Sequence, residues 1–191
     1  MTEIIVDGLI FPTDLDVDLG PCDRPALLPA ALRTYLEGCA ALARIALPEP
    51  PAGFRFRSHH ELVLELGRPM HAAAGLPKAA PRGNLRYCYG NTLRLISHYP
   101  RLIYCEGYAM PWADGRAGEP SLHAWALTAN GRVWDPTWPD PFNSAYFGIA
   151  FSPADVARFV NLDEDTFGVL ATEHLIGSPL LRTGRLFPED R

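Results

Sequence analysis

Residues 85–109 read LRYCYGNTLRLISHYPRLIYCEGYA, and two different periodicities meet inside them. From Cys88 the spacing is helical. Thr92, Leu95, Ile96 and Tyr99 recur at steps of three and four, and Cys88 lies one turn before Thr92, so its thiol falls on the inward face of the first turn. Pro100 stops that helix. From Arg101 the period becomes two: Leu102, Tyr104, Glu106 and Tyr108 alternate with Ile103, Cys105, Gly107 and Ala109, and the β-forming composition predicts a strand. A helix feeding directly into a strand sets the expected class, α+β.

The two cysteines therefore occupy different settings. A thiol at a helix amino terminus lies near the positive end of the backbone dipole, which favours thiolate, so Cys88 is where a nucleophile can be made. Cys105, in mid-strand, has no helix end beside it and reads as a small buried hydrophobe.

A nucleophilic thiol needs a base, and the base needs an orienting partner. The next segment, SLHAWALTA from Ser121, carries His123 on the same strand face as Trp125 and Leu127, and after Asn130-Gly131 comes RVWDPTW with Asp135. A two-residue turn there would put Asp135 on the face opposite His123. A three-residue loop with Gly131 left-handed in a bulge pairs Thr128 with Arg132 and Trp125 with Asp135. It leaves His123 and Asp135 diagonal neighbours on one face, roughly 7 Å apart at the backbone. The bulged register is expected, because it lets the carboxylate hold the imidazole.

A Cys at a helix start, a strand ending in G-Y, then H-A-W and D-P-T-W resembles the core of the transglutaminase-like branch of the papain-like superfamily, whose Cys, His and Asp occur in that chain order. The resemblance covers roughly residues 84–138, under a third of the chain. It implies an antiparallel sheet with the nucleophile's helix packed on one face, with Cys88 as nucleophile, His123 as base and Asp135 as orienter. Bacterial members often show C-x-G-Y-A around the nucleophile itself, whereas here CEGYA belongs to Cys105. Spacing favours Cys88: 17 residues between Cys105 and His123 are too few for a helix, a strand and a turn, and the 34 between Cys88 and His123 accommodate them.

The implied chemistry is acyl transfer on an amide of a peptide or protein substrate through a thioester, with no cofactor and no metal. Hydrolysis is favoured over cross-linking because water needs no second-substrate site. A non-catalytic peptide-binding module on the same scaffold is the alternative. The backbone N–H of Cys88 is the natural first oxyanion donor. The side chains of Asn84 and Tyr87 are candidates for the second, while Asn91 is expected to bind local backbone. The stretch MPWADGRAGEPS, residues 110–121, reads as a loop that either shapes a substrate groove through Trp112 or is an ordinary connection. Trp125 is the other groove candidate, although Trp125, Trp134 and Trp138 fit cross-strand packing as well.

Composition agrees with one domain over 1–191, with a core at about 58–151. The chain has 191 residues, is 48% hydrophobic and carries a formal charge of -5, its 17 basic residues scattered without a stripe for nucleic acid or an anionic membrane. No run reaches membrane-spanning length, and the first 20 residues do not read as a signal peptide. Cys22, Cys39, Cys88 and Cys105 form neither a zinc nor a redox spacing, so reduced thiols in a cytoplasm are expected.

Outward from the central stretch, Ile4–Val6 reads as a short strand and residues 29–45 as a helix with Cys39 on its buried side. Ser58 caps a short helix ending at Gly67, whose His59-His60-Glu61 start reads as solvated because H-E-x-x-H is absent. Residues 69–84 read as loop. Tyr146–Phe151 reads as a strand, Ser152 as a cap with Pro153 at the first helical position, and the rest as helices between 153 and 176 with His174 at the surface or half-buried. The last dozen residues are expected to trail along the surface.

Overall fold

The computed structural model describes residues 3–6, 9–12, 25–72, 75–160 and 168–188, the first two stretches as backbone. Strands β1 (Glu3–Val6) and β2 (Leu9–Pro12) pair with each other antiparallel. Helices α1 (Leu28–Ala46) and α2 (His59–Leu66) lead to β3 (Arg68–Ala72), and α3 (Cys88–His98) to β4 (Ile103–Met110). A small hairpin of β5 (Trp112–Ala113) and β6 (Arg116–Ala117) precedes β7 (Ser121–Leu127), β8 (Arg132–Trp134) and β9 (Ala145–Ala150). Helices α4 (Pro153–Val160), α5 (Val169–Thr172) and α6 (Pro179–Thr183) follow.

The mixed α+β class is as expected, but the sheet is not an open antiparallel one. It closes into a five-stranded barrel in the order β3-β8-β7-β4-β9, with β9 returning to β3. Closure depends on residues 68–72, although the prolines and glycines of 69–84 point to a loop from Pro69 onward. They pair antiparallel with β9 and parallel with β8.

Every barrel strand sends side chains inward: Met70, Cys105, Ala109, Trp125, Leu127, Val133 and Tyr146 form one buried cluster. The outward faces of β4, β7 and β9 supply Tyr104, Tyr108, Met110, Ala124, Ala145 and Phe147 to a larger cluster with the helices. In that cluster α1 buries Leu28, Leu32, Tyr35, Leu36 and Cys39 at helical spacing. Each fully buried Leu there contributes about 1.5–3 kcal/mol. Helix α3 packs on β7 and β4, with Leu95 against Leu102, Ala126 and Ala80.

Three local expectations change. The start of α2 is capped by Ser58 as expected, its oxygen accepting from the Glu61 N–H, but His59, His60 and Glu61 are buried rather than solvated. Most of their partners come from other elements: His59 Nε2 meets Glu173 Oε1 at 2.9 Å, His60 stacks on Tyr108 at 4.4 Å, and Glu61 accepts from Arg44 of α1 as well as from nearby Arg57. Burial, then the neighbouring His59, pulls the His60 imidazole down to about 3. Residues 180–188 do not trail along the surface, since Leu180, Leu181 and Leu186 are buried in the main core. Residues 161–167 of the last expected helical region lie outside the described residues, as does Cys22, and the remainder is the short α5 followed by a 3-10 turn over Glu173–Ile176.

Among the described residues no helix is long and apolar enough to cross a membrane.

Candidate functional site

The β7–β8 turn sets the geometry. Thr128 N–H donates to Arg132 O, Gly131 N–H donates to Thr128 O, and Gly131 has φ 75°, a left-handed value that suits glycine. Ala126 consequently pairs with Trp134 and Leu127 with Val133, which is the bulged register. His123 and Asp135 share the inward face, and His123 Nε2 donates to Asp135 Oδ2 over 2.8 Å.

Asp135 is fully buried and saturated by donors. Besides His123 it accepts from the backbone N–H groups of Thr137 at 2.8 Å and Trp138 at 3.2 Å, and from the Tyr146 hydroxyl at 2.9 Å. The D-P-T-W turn thus folds back on its own carboxylate, in the manner of an Asx turn. Trp138 then stacks on the imidazole with centroids 4.2 Å apart and planes at 19°. Burial, followed by the Asp135 charge, holds the Tyr146 hydroxyl well above the usual phenol range.

Cys88 is buried as the first residue of α3. Its N–H has no intrahelical acceptor at that position. The imidazole of His123 takes Asp135 on Nε2, which leaves Nδ1 as the free ring nitrogen, and Cys88 lies close enough to the ring to favour its protonated form. Burial opposes charge on this ring. It is outweighed by the Asp135 charge, by the hydrogen bond to Asp135 and by the proximity of Cys88, which carry His123 up to about 9.

The segment before Cys88 is tied to the Asp135 turn. Gly83 N–H donates to Pro136 O at 3.0 Å, and Asn91 Nδ2 donates both to Asn84 O at 2.8 Å and to Thr137 Oγ1 at 3.0 Å. Asn91 binds local backbone as expected and also crosses to the turn. Asn84 and Tyr87 lie beside Cys88 but both are exposed, Tyr87 to 66%, and Asn84 contributes its carbonyl to the tie.

The groove candidates separate. Trp112 is half-buried at the start of the β5–β6 hairpin, which turns through left-handed Asp114 and Gly115 where a loop was expected. Trp125 has no exposed surface. It fills the barrel interior with its indole N–H 3.1 Å from Met70 Sδ, so it cannot line a groove. Cys105 pairs with Trp125 across the β4–β7 ladder, and burial pushes its thiol up to about 12.

Sequence reasoning missed Tyr146 as a partner of Asp135 and Trp138 as the cover of the imidazole. Tyr146 was legible only as one of the strand residues at 146–151, and Trp138 only as an aromatic three residues after Asp135. Among the described residues, no group of three or more His, Cys, Asp and Glu side chains is placed to hold a metal ion.

No family model matches this chain, and no curated protein or solved structure matches it at a significant level.

Proposed function

We propose that the protein is a cysteine-dependent acyl-transfer enzyme of transglutaminase-like kind, acting on an amide bond of a peptide or protein. The observation that carries this reading is the buried imidazole held by Asp135 on one nitrogen, with Cys88 beside it as the first residue of a helix. The antiparallel ladder of β4 and β7 with α3 packed against it supports the reading, because it brings the strand of His123 next to the helix that begins at Cys88.

Proton transfer from the Cys88 thiol to His123 Nδ1 gives a thiolate–imidazolium pair that Asp135 stabilises. The sulfur attacks the amide carbonyl, and the oxyanion faces the Cys88 N–H. Collapse breaks the C–N bond, with the imidazolium proton going to the leaving amine, and a thioester remains on Cys88. Water, deprotonated by the now neutral imidazole, attacks the thioester, releases the acid and returns the thiol. Hydrolysis is preferred to cross-linking because it requires no site for a second amine.

The reading is tested by iodoacetamide labelling of the purified chain as a function of pH, mapped to each cysteine. Cys88 is expected to alkylate well below pH 8, with His123→Ala removing that advantage, and an aryl acetate is expected to acetylate Cys88. Equal rates at Cys88 and Cys22 would end the catalytic proposal.

A further inference from the structure

Charge is divided unevenly around Cys88. Between Glu65 and Glu106 there is no acidic residue, while Arg68, Lys78, Arg82, Arg86, Arg94 and Arg101 all fall there. The rest of the chain holds all 22 acidic residues against 11 of the 17 basic ones. These six side chains are exposed, and among the described residues none forms an ion pair. By contrast, Arg33, Arg44, Arg55 and Arg57, on and around α1 and α2, each meet a carboxylate.

Two of the six flank the site directly. Arg86 stands two residues before Cys88 with φ 72°, between exposed Leu85 and Tyr87, so the turn entering α3 carries an arginine in a backbone conformation that ordinary side chains seldom adopt. Arg82 precedes Gly83, whose N–H is anchored on Pro136, beside Asp135. The segment carrying both is fixed to the turn that orients the imidazole, so both arginines stand, exposed, on the stretch of chain that leads into Cys88.

We infer that the site takes acidic polypeptide, with Arg82 and Arg86 receiving Asp or Glu side chains next to the amide that Cys88 attacks. Lys78 and Arg94 extend the field that draws such a chain in. This rests on the acyl-transfer reading of Cys88. A polynucleotide would match the charge, but it offers no amide in its backbone for a thiolate to attack, so the chemistry selects polypeptide.

Alkylation of Cys88 in the full chain by iodoacetate and by iodoacetamide tests it. The ratio of the two rates is taken within each variant, so changes in intrinsic thiol reactivity cancel and the potential at the sulfur remains. At low salt the wild type is expected to favour the anionic reagent, and Arg82→Gln/Arg86→Gln to lower the ratio about two- to fourfold, each exposed charge at ~10 Å contributing a factor of about two. The difference should vanish near ~0.5 M salt, and Arg33→Gln should leave the ratio alone. Poly-L-glutamate should slow iodoacetamide labelling of Cys88 in the wild type and much less in the double variant. A ratio indifferent to Arg82 and Arg86, with Cys88 still reactive, overturns the inference and spares the enzyme reading. A Cys88 inert to the neutral reagent overturns both. Single-stranded RNA protecting as well as poly-L-glutamate overturns the choice of polypeptide.

Discussion

At the scale of single residues, Asp135 concentrates the logic of the site, because all four groups around it are donors. Asn in its place turns one acceptor oxygen into a donor, which must then face another donor, and removes the charge that outweighs burial at His123. In Asp135→Asn the His123 imidazole should titrate below 6.5 instead of near 9, followed by NMR of the ring protons. Cys88 alkylation at pH 7 should fall at least about tenfold. Tyr146→Phe removes one donor of four and should cost only about 1 kcal/mol of stability. Cys88, His123 and Asp135 were legible because each stands at a position the local pattern marks: a helix start, a strand face and a bulged hairpin. Tyr146 was not, since nothing in its own strand shows that its hydroxyl meets a carboxylate on the turn after β8.

At the scale of elements, Glu106 joins β4 to α5. Its carboxylate accepts from the Tyr104 hydroxyl at 2.6 Å and from the N–H groups of Val169 at 2.5 Å and Leu170 at 2.8 Å. Burial pushes it up to about 7 despite those bonds. The folded chain therefore holds more protons than the unfolded one between pH 4.5 and 7, so this group's stabilising contribution is full below 4.5 and lost as pH rises through 7. His123, raised from 6.5 to about 9, stabilises fully below 6.5 and loses that contribution as pH rises through 9. His60, lowered to about 3, binds fewer protons in the folded chain up to pH 6.5 and so opposes Glu106 there. Urea unfolding at stepped pH should therefore show wild-type stability declining mainly between 6.5 and 9, with His123→Gln flattening that decline and Glu106→Gln making stability rise between 4.5 and 6.5. The hairpin and α3 were readable from local periodicity. The buried start of α2 was not, because Arg44, Tyr108 and Glu173 reach it from α1, β4 and the C-terminal region.

At the scale of the whole molecule, barrel closure was the least legible feature. Strand β3 is short, contains Pro69, and gains its partners only from β8 and β9, more than sixty residues away. Two glycines make the closed interior possible. Gly107 on β4 pairs with Gly148 on β9, and a Cβ on Gly148 would come within 2.4 Å of Glu106 O and 2.6 Å of Trp125 Cη2. The Trp125 indole needs that bare backbone. It meets Tyr146 edge-on at 5.1 Å, and Tyr146 in turn donates to Asp135, so barrel filling and site geometry form one packed unit. Gly148→Ala should accordingly lower stability by about 1–3 kcal/mol or more through overpacking, read from the urea midpoint. It should also slow Cys88 alkylation under conditions where the variant is still folded, because a displaced Trp125 moves Tyr146 off the carboxylate. Loss of stability with an unchanged labelling rate would show that the barrel interior and the site are mechanically separate.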